Sequence, residues 1–174
     1  MRTLIILGAI AAALFTRTTL AQEISLHPEA AVLTGPFVLT NGYVYQAAKA
    51  SSNQDARALF NFSVTNSGSY AILATVNAGS SRANLFAINI DAEPKEPEMI
   101  WDIATTSGFE PQIVSWRGNG TASNPQHRQQ SFRLSAGAHQ LIIRGLDADA
   151  QLKSVSILPL PPAPTGLHVV AGPS

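Results

Sequence analysis

The sequence predicts an all-β fold, a β-sandwich of jelly-roll type built from about nine to eleven short strands. Three observations predict it. Apolar and polar residues alternate at period two in segment after segment, the mark of half-buried strands. Turn signals stand between those segments, drawn from twelve Gly and eleven Pro. No stretch beyond the N-terminal apolar run sustains a helical period.

In chain order, residues 1–21 read as a signal peptide. Arg2 supplies the positive start, Leu4 to Phe15 is apolar, and Thr19-Leu20-Ala21 offers small residues at a cleavage site. The run is about a dozen residues, short of the roughly 20 that span a bilayer. The expected location is therefore secreted, periplasmic or cell surface, with no membrane attachment after cleavage near Ala21. Glu23 to Leu26 reads as a short first strand. AVLTGPFVL (Ala31 to Leu39) reads as strand, Gly-Pro break and strand, and Asn41-Gly42 as a turn before Tyr43-Val44-Tyr45. Ala47 to Asp55 reads as loop. Strands follow at Arg57 to Val64 and Tyr70 to Val76, with a turn through Gly68. Asn84 to Ile90 and Met99 to Ile103 read as two more, separated by a Pro- and Glu-rich turn. Ala104 to Gln112 reads as loop, Ile113 to Trp116 as a strand, and Arg117 to Gln129 as a long loop. Phe132 to Leu134 and His139 to Ile143 flank Gly137 and read as a hairpin, and Gln151 to Leu158 is the closing strand.

One pattern occurs twice. Phe62-Ser63-Val64, a Gly turn at Gly68, then Tyr70 and Ile72 match Phe132-Arg133-Leu134, Gly137, then His139 and Leu141. The spacing, roughly 70 residues, is too long for a solenoid unit. It suits two similar hairpins placed in the two sheets of a sandwich. In this register His139 stands where Tyr70 does, so a packed ring is expected there rather than a catalytic one.

Composition excludes several classes of function. Eleven basic residues balance eleven acidic ones, and no basic block or face is visible, which argues against nucleic acid as a partner. Cysteine is absent, which removes thiol catalysis and Cys-based metal sites. A sandwich of about 140 residues buries enough core to fold without disulfides. The four His have no paired ligand spacing, and no nucleophile motif, phosphate loop or carboxylate pair with an argued pKa split is present. The chain reads as not an enzyme.

YAILATVNA, NLFAINID, MIWDI, FRLSAGAHQLIIRG and QLKSVSIL together resemble the galactose-binding-like jelly rolls among carbohydrate-binding modules, families 6 and 35 nearest in pattern. The resemblance covers Leu26 to Leu158, so that the module spans 22–158. Residues 159–174 follow as a Pro-rich linker, and PAPTGLHVVAG resembles the opening of a fibronectin type III domain of a longer chain.

The resemblance implies a noncatalytic module with a polysaccharide or glycan as partner. It also implies a structural calcium, held between an acidic pair near the N-terminus and an Asp of the last strand. Here only Glu29 remains of the pair, and Lys153 stands at the Asp position. Calcium is thus disfavoured as a cofactor, and the Lys153 ammonium is expected to pair with Glu29 in its place. Family modules carry ligand-contacting aromatics in the long loop, which makes Trp116 the first candidate, followed by Arg117, Asn119 and Asn124, with Arg128 beside them. The other reading of Trp116 is a ring packed beneath its own loop. Tyr43 and Tyr45 share one face of their strand and form either a stacking platform or ordinary cross-strand packing. Trp101 reads as core and His127 as solvated. Asp147 lies in the turn before the last strand, where the family contributes polar contacts, although Leu146 replaces the Arg common there. A second function class is open at this level: a structural or protein-interaction spacer without sugar binding.

Overall fold

The structure, a computed structural model, describes residues 22–48 and 56–162. The expected signal peptide over 1–21 and the expected fibronectin-like strand at Gly166 to Val170 lie outside the described residues, as does most of the stretch from Ala47 to Asp55 read as loop. The described chain is a sandwich of fourteen strands without an α-helix. In order these are β1 (Ile24–Leu26), β2 (Val32–Thr34), β3 (Phe37–Thr40), β4 (Tyr43–Gln46), β5 (Arg57–Val64), β6 (Gly68–Asn77) and β7 (Leu85–Ile90). They continue with β8 (Ile100–Asp102), β9 (Glu110–Ile113), β10 (Ser115–Trp116), β11 (Arg128–Gln129), β12 (Phe132–Leu134), β13 (Gly137–Gly145) and β14 (Gln151–Pro159). A single 3-10 turn, Pro28–Ala30, separates β1 from β2.

Two antiparallel sheets face each other. The larger has the order β12-β6-β14-β4-β3, with β1 added on β14 and β9 on β6; the smaller has the order β2-β5-β13-β7-β8. Alternation dictates the core between them. Ala58, Phe60, Phe62 and Val64 of β5 point inward, as do Ile72, Ala74 and Val76 of β6 and Leu152, Val155 and Ile157 of β14. The intervening residues face solvent.

β3 and β4 form a true two-residue hairpin. Thr40 pairs with Tyr43, and Asn41 and Gly42 take φ of 48° and 74°, the left-handed pair that a type I′ turn demands.

The two repeated segments are not hairpins, which corrects the sequence reading. β5 lies in the smaller sheet and β6 in the larger, while β12 lies in the larger and β13 in the smaller. Each unit is an arch that carries the chain from one sheet to the other. The arches pair with each other instead: Phe132 opposes Tyr70 on β12–β6, and Phe62 opposes His139 on β13–β5. These two contacts exchange under one pseudo-two-fold operation, so the sequence repeat is a repeat of structure. At the second crossing only Gly137 has positive φ (132°), and β13 runs on to pair with β7 as well.

The smaller differences lie at strand ends. β9 begins inside the stretch read as loop, at Glu110, and pairs with β6. The long loop is shorter than expected, because Arg128 and Gln129 return to pair with Trp116 and Ser115. β14 runs one residue past Leu158, and the linker stays attached where the Leu160 N–H donates to Ser69 O at 2.8 Å.

Candidate functional site

Two places gather the residues singled out above, and they differ in what they leave free. The first is the β10–β11 flap. Trp116 is half-buried, donates its indole N–H to Ile88 O at 3.0 Å, and meets Phe132 edge-on at 6.0 Å. The ring is thus packed beneath its own loop. Arg117 is buried, with side-chain exposure of 7%, and grips Asp102 through two nitrogens, Nε standing 2.9 Å from Oδ2. The hydrogen bonds that Arg117 donates to Asp102 raise its pKa further, although burial works against them, so Arg117 stays charged. Its guanidinium binds this turn together rather than presenting donors to a ligand. Asn119 and Asn124 are exposed, yet their backbone N–H groups are committed within the loop, to Gln126 Oε1 and Thr121 Oγ1. Gly120 has the backbone of Asn124 and Gln126 against it, so the loop is closed on itself. Arg128 reaches toward Glu98 at 3.9 Å. Asp147 lies at the far end of β13 and accepts from the Asn84 N–H at 3.5 Å.

The second place is the outer face of the larger sheet. Val44 and Gln46 point into the core, which turns Tyr43 and Tyr45 outward on one face of β4. Their rings are 6.0 Å apart and inclined at 51°. A third ring joins them: Phe109 lies 5.4 Å from Tyr43 at 54°. Sequence reasoning missed Phe109, which sits in a stretch read as plain loop. The signal was Gly108 one residue earlier, whose φ of 109° turns the chain so that Phe109 lies against Tyr43. The loop is fixed at several points. Gln112 bonds both the N–H and the C=O of Ala104, the Thr106 N–H reaches Ala78 O, and Glu110 accepts from the Ser107 N–H. Polar groups border the rings. Gln151 opposes Tyr45 in register, the Asn77 amide donates to Gln151 Oε1 at 2.9 Å, and the Thr106 hydroxyl donates to Asn77 Oδ1 at 3.3 Å. No ring contact or hydrogen bond among the described residues joins this cluster to Trp116.

Lys153 belongs to this second place. The expected pair with Glu29 is not formed: Lys153 makes no ion pair to a described residue. Its Nζ lies over the Phe109 ring, 5.4 Å from the centroid. The register of β14 against β6 shifts between Leu152 and Ser154, so Lys153 is the extra residue of a β-bulge and points into solvent. The calcium implied by the family resemblance does not fit these residues. A hard cation takes six or more oxygen ligands. Among the described residues no group of three or more acidic or His side chains is assembled, and an ammonium stands where a carboxylate would be needed.

Solved structures of low sequence identity share this architecture. A family 35 carbohydrate-binding module from Clostridium thermocellum superposes with a TM-score of 0.57 at 14% identity, over 78% of this chain and 98% of that one. The C-terminal family 6 module of LamC, a marine laminarinase from Zobellia galactanivorans, gives 0.53 at 14% identity, over 79% and 99%. The fold is that of the family 6 and family 35 carbohydrate-binding modules. The chain also superposes on a β-1,4-mannanase of Podospora anserina that combines a GH26 and a CBM35 part, with a TM-score of 0.59 at 14% identity. There it covers 82% of this chain but spans only 29% of the mannanase. No protein-family model matches the sequence, nor does any curated protein.

Proposed function

We propose that this chain is an exported, noncatalytic carbohydrate-binding module that holds a polysaccharide on the Tyr43–Tyr45–Phe109 cluster. The carrying observation is that cluster itself: three rings in contact on a solvent-facing sheet, bordered by the Gln151 and Asn77 amides. A pyranose ring presents an apolar face of C–H groups and an equatorial rim of hydroxyls. Tyrosine rings offer rigid apolar area to the first, and planar amides exchange hydrogen bonds with the second. Tyr43 and Tyr45 supply the stacking faces, and Phe109 is the wall against which Tyr43 rests. The loop behind Phe109 is already ordered, so little entropy is lost on binding. Export is read from Arg2 and the apolar run that follows it, and a cell-surface or extracellular glycan is the matching partner.

Affinity gel electrophoresis against neutral plant and algal polysaccharides tests this reading. Wild type is expected to be retarded by at least one polymer. Tyr43→Ala should weaken that retention roughly ten-fold or more, as loss of a central aromatic anchor does, while the thermal midpoint moves little. Trp116→Ala, compared as folded protein, should retain binding. Absence of retardation by every polymer would reject the proposal in favour of a spacer without sugar binding.

A further inference from the structure

We propose that Lys153 is a positioning residue for the ring platform: its ammonium holds Phe109 against Tyr43, so that the chain supplies its own cation and the platform works without calcium. The inference rests on the glycan-binding reading for its functional arm and on geometry alone for its structural arm. Three features lead to it. The β-bulge between Leu152 and Ser154 adds one residue to the outer face of β14, and bulges re-aim a side chain. That residue is a lysine without a carboxylate partner among the described residues, and its Nζ lies over an aromatic ring within the distance at which a cation is attracted to the π face. The ring in question is the one that reaches the platform from outside β4, touching Tyr43 from the loop before β9. Backbone and side-chain hydrogen bonds fix the loop up to Ser107 and again from Glu110. Between them, Phe109 follows a glycine in a left-handed conformation, and its contacts decide where the ring rests. Among the described residues, its ring contacts are Tyr43 on one side and the Lys153 ammonium on the other.

The role differs from direct sugar contact, and a double-mutant cycle separates the two. An exposed cation–π contact corresponds to roughly a two- to five-fold change in an equilibrium constant. Lys153→Met, which keeps the apolar stem and removes the charge, should weaken polysaccharide binding by about that factor. Lys153→Arg should restore it. In a Phe109→Leu background, Lys153→Met should have no further effect. Nuclear magnetic resonance gives an arm independent of any sugar: the Lys153 CεH2 protons should be shifted upfield by the ring current, and Phe109→Leu should abolish the shift. Adding calcium or chelator should change neither the thermal midpoint nor the affinity.

Three results would overturn the proposal. One is an equal loss from Lys153→Met with and without Phe109, which would make Lys153 a sugar contact. The second is unshifted CεH2 protons in the wild type. The third is a calcium-dependent rise in the midpoint. Should the wild type bind no polysaccharide, the functional reading fails by itself, and the resonance and calcium arms still decide for or against the clamp.

Discussion

The two arches carry the same sequence pattern and close in the same way, yet one closes with a phenol and the other with an imidazole that a carboxylate partners. In the first, the Tyr70 hydroxyl donates to Asn66 O at 2.6 Å, four residues back across the crossing. In the second, His139 Nε2 lies 2.8 Å from Ser135 O, again four residues back. A ring two residues into the returning strand thus ties off each crossing to its own turn. The turns are also tied to each other, since the Ala136 N–H donates to Ser67 Oγ at 2.9 Å. The difference is the second ring nitrogen. His139 Nδ1 stands 2.6 Å from Asp91 Oδ2, and Asp91 Oδ1 accepts the Gln140 N–H at 2.9 Å. Both nitrogens therefore face acceptors, and only the imidazolium satisfies both. Its pKa is raised above the ordinary 6.5, first by the bond to Ser135 O and then by Asp91, with burial opposing. A pseudo-symmetric frame has acquired one joint with a carboxylate partner, because Asp91 in the turn after β7 reaches the His139 ring.

The largest way to break the comparison is to remove its shared aromatic. Phe132 and Phe62 are both buried at equivalent places, each opposite the ring of the other arch. Phe132→Ala should cost about 3–4 kcal/mol, the range for emptying a buried aromatic site. For a domain of this size that is a fall of roughly 10–15 °C in the thermal midpoint. Phe132 also supports Trp116, so the tryptophan fluorescence should shift to the red before global unfolding. Phe62→Ala should cost a similar amount without that early shift. A difference of more than about 2 kcal/mol between the two would show that the arches are not energetically equivalent.

The next effect sharpens the difference. A group whose folded pKa lies above its unfolded value contributes stability that is whole below the unfolded pKa and is lost as pH rises through the folded one. For His139 that means full contribution below about pH 6.5 and decline above. His139→Gln should cost roughly 1–2 kcal/mol in denaturant unfolding at pH 5.5, Asp91 being half exposed and screened. The cost should shrink steadily toward pH 9. A cost that grew with pH would refute the doubly bonded imidazolium.

Why the arches read as hairpins, while the strands within them were found, has a physical reason. Alternation reports which residues face the core, and it is the same whether the returning strand pairs with its predecessor or crosses to the facing sheet. Turn chemistry held the missing distinction. Asn41-Gly42 supplies two left-handed residues and makes a hairpin, whereas Ser135-Ala136-Gly137 supplies one and does not. The repeat was visible too, but that its halves pair with each other is a long-range fact. The site divides along the same line. Tyr43 and Tyr45 were legible because one strand places both. Phe109 joins them from the loop before β9, through Gly108, and Lys153 joins through a bulge that no local pattern announces. Trp116 shows the converse: residue type marked it, and an unforeseen bond to Ile88 O and packing on Phe132 took it inward.

The smallest effect tests the neutral arch. Tyr70→Phe keeps the ring and removes only the hydroxyl, leaving Asn66 O without that donor. The bond is part-buried and joins two uncharged groups, so its loss should cost about 1 kcal/mol. Water reaching the turn carbonyl would bring the figure down, never up. Unlike the loss at His139, this one should be the same at pH 5.5 and at pH 8, because no proton is gained or lost at the bond. Equal pH profiles for Tyr70→Phe and His139→Gln would mean that charge is not what separates the arches. Parallel denaturation curves for Tyr70→Phe at the two pH values, beside diverging ones for His139→Gln, would confirm that the two crossings share a geometry and differ in one proton.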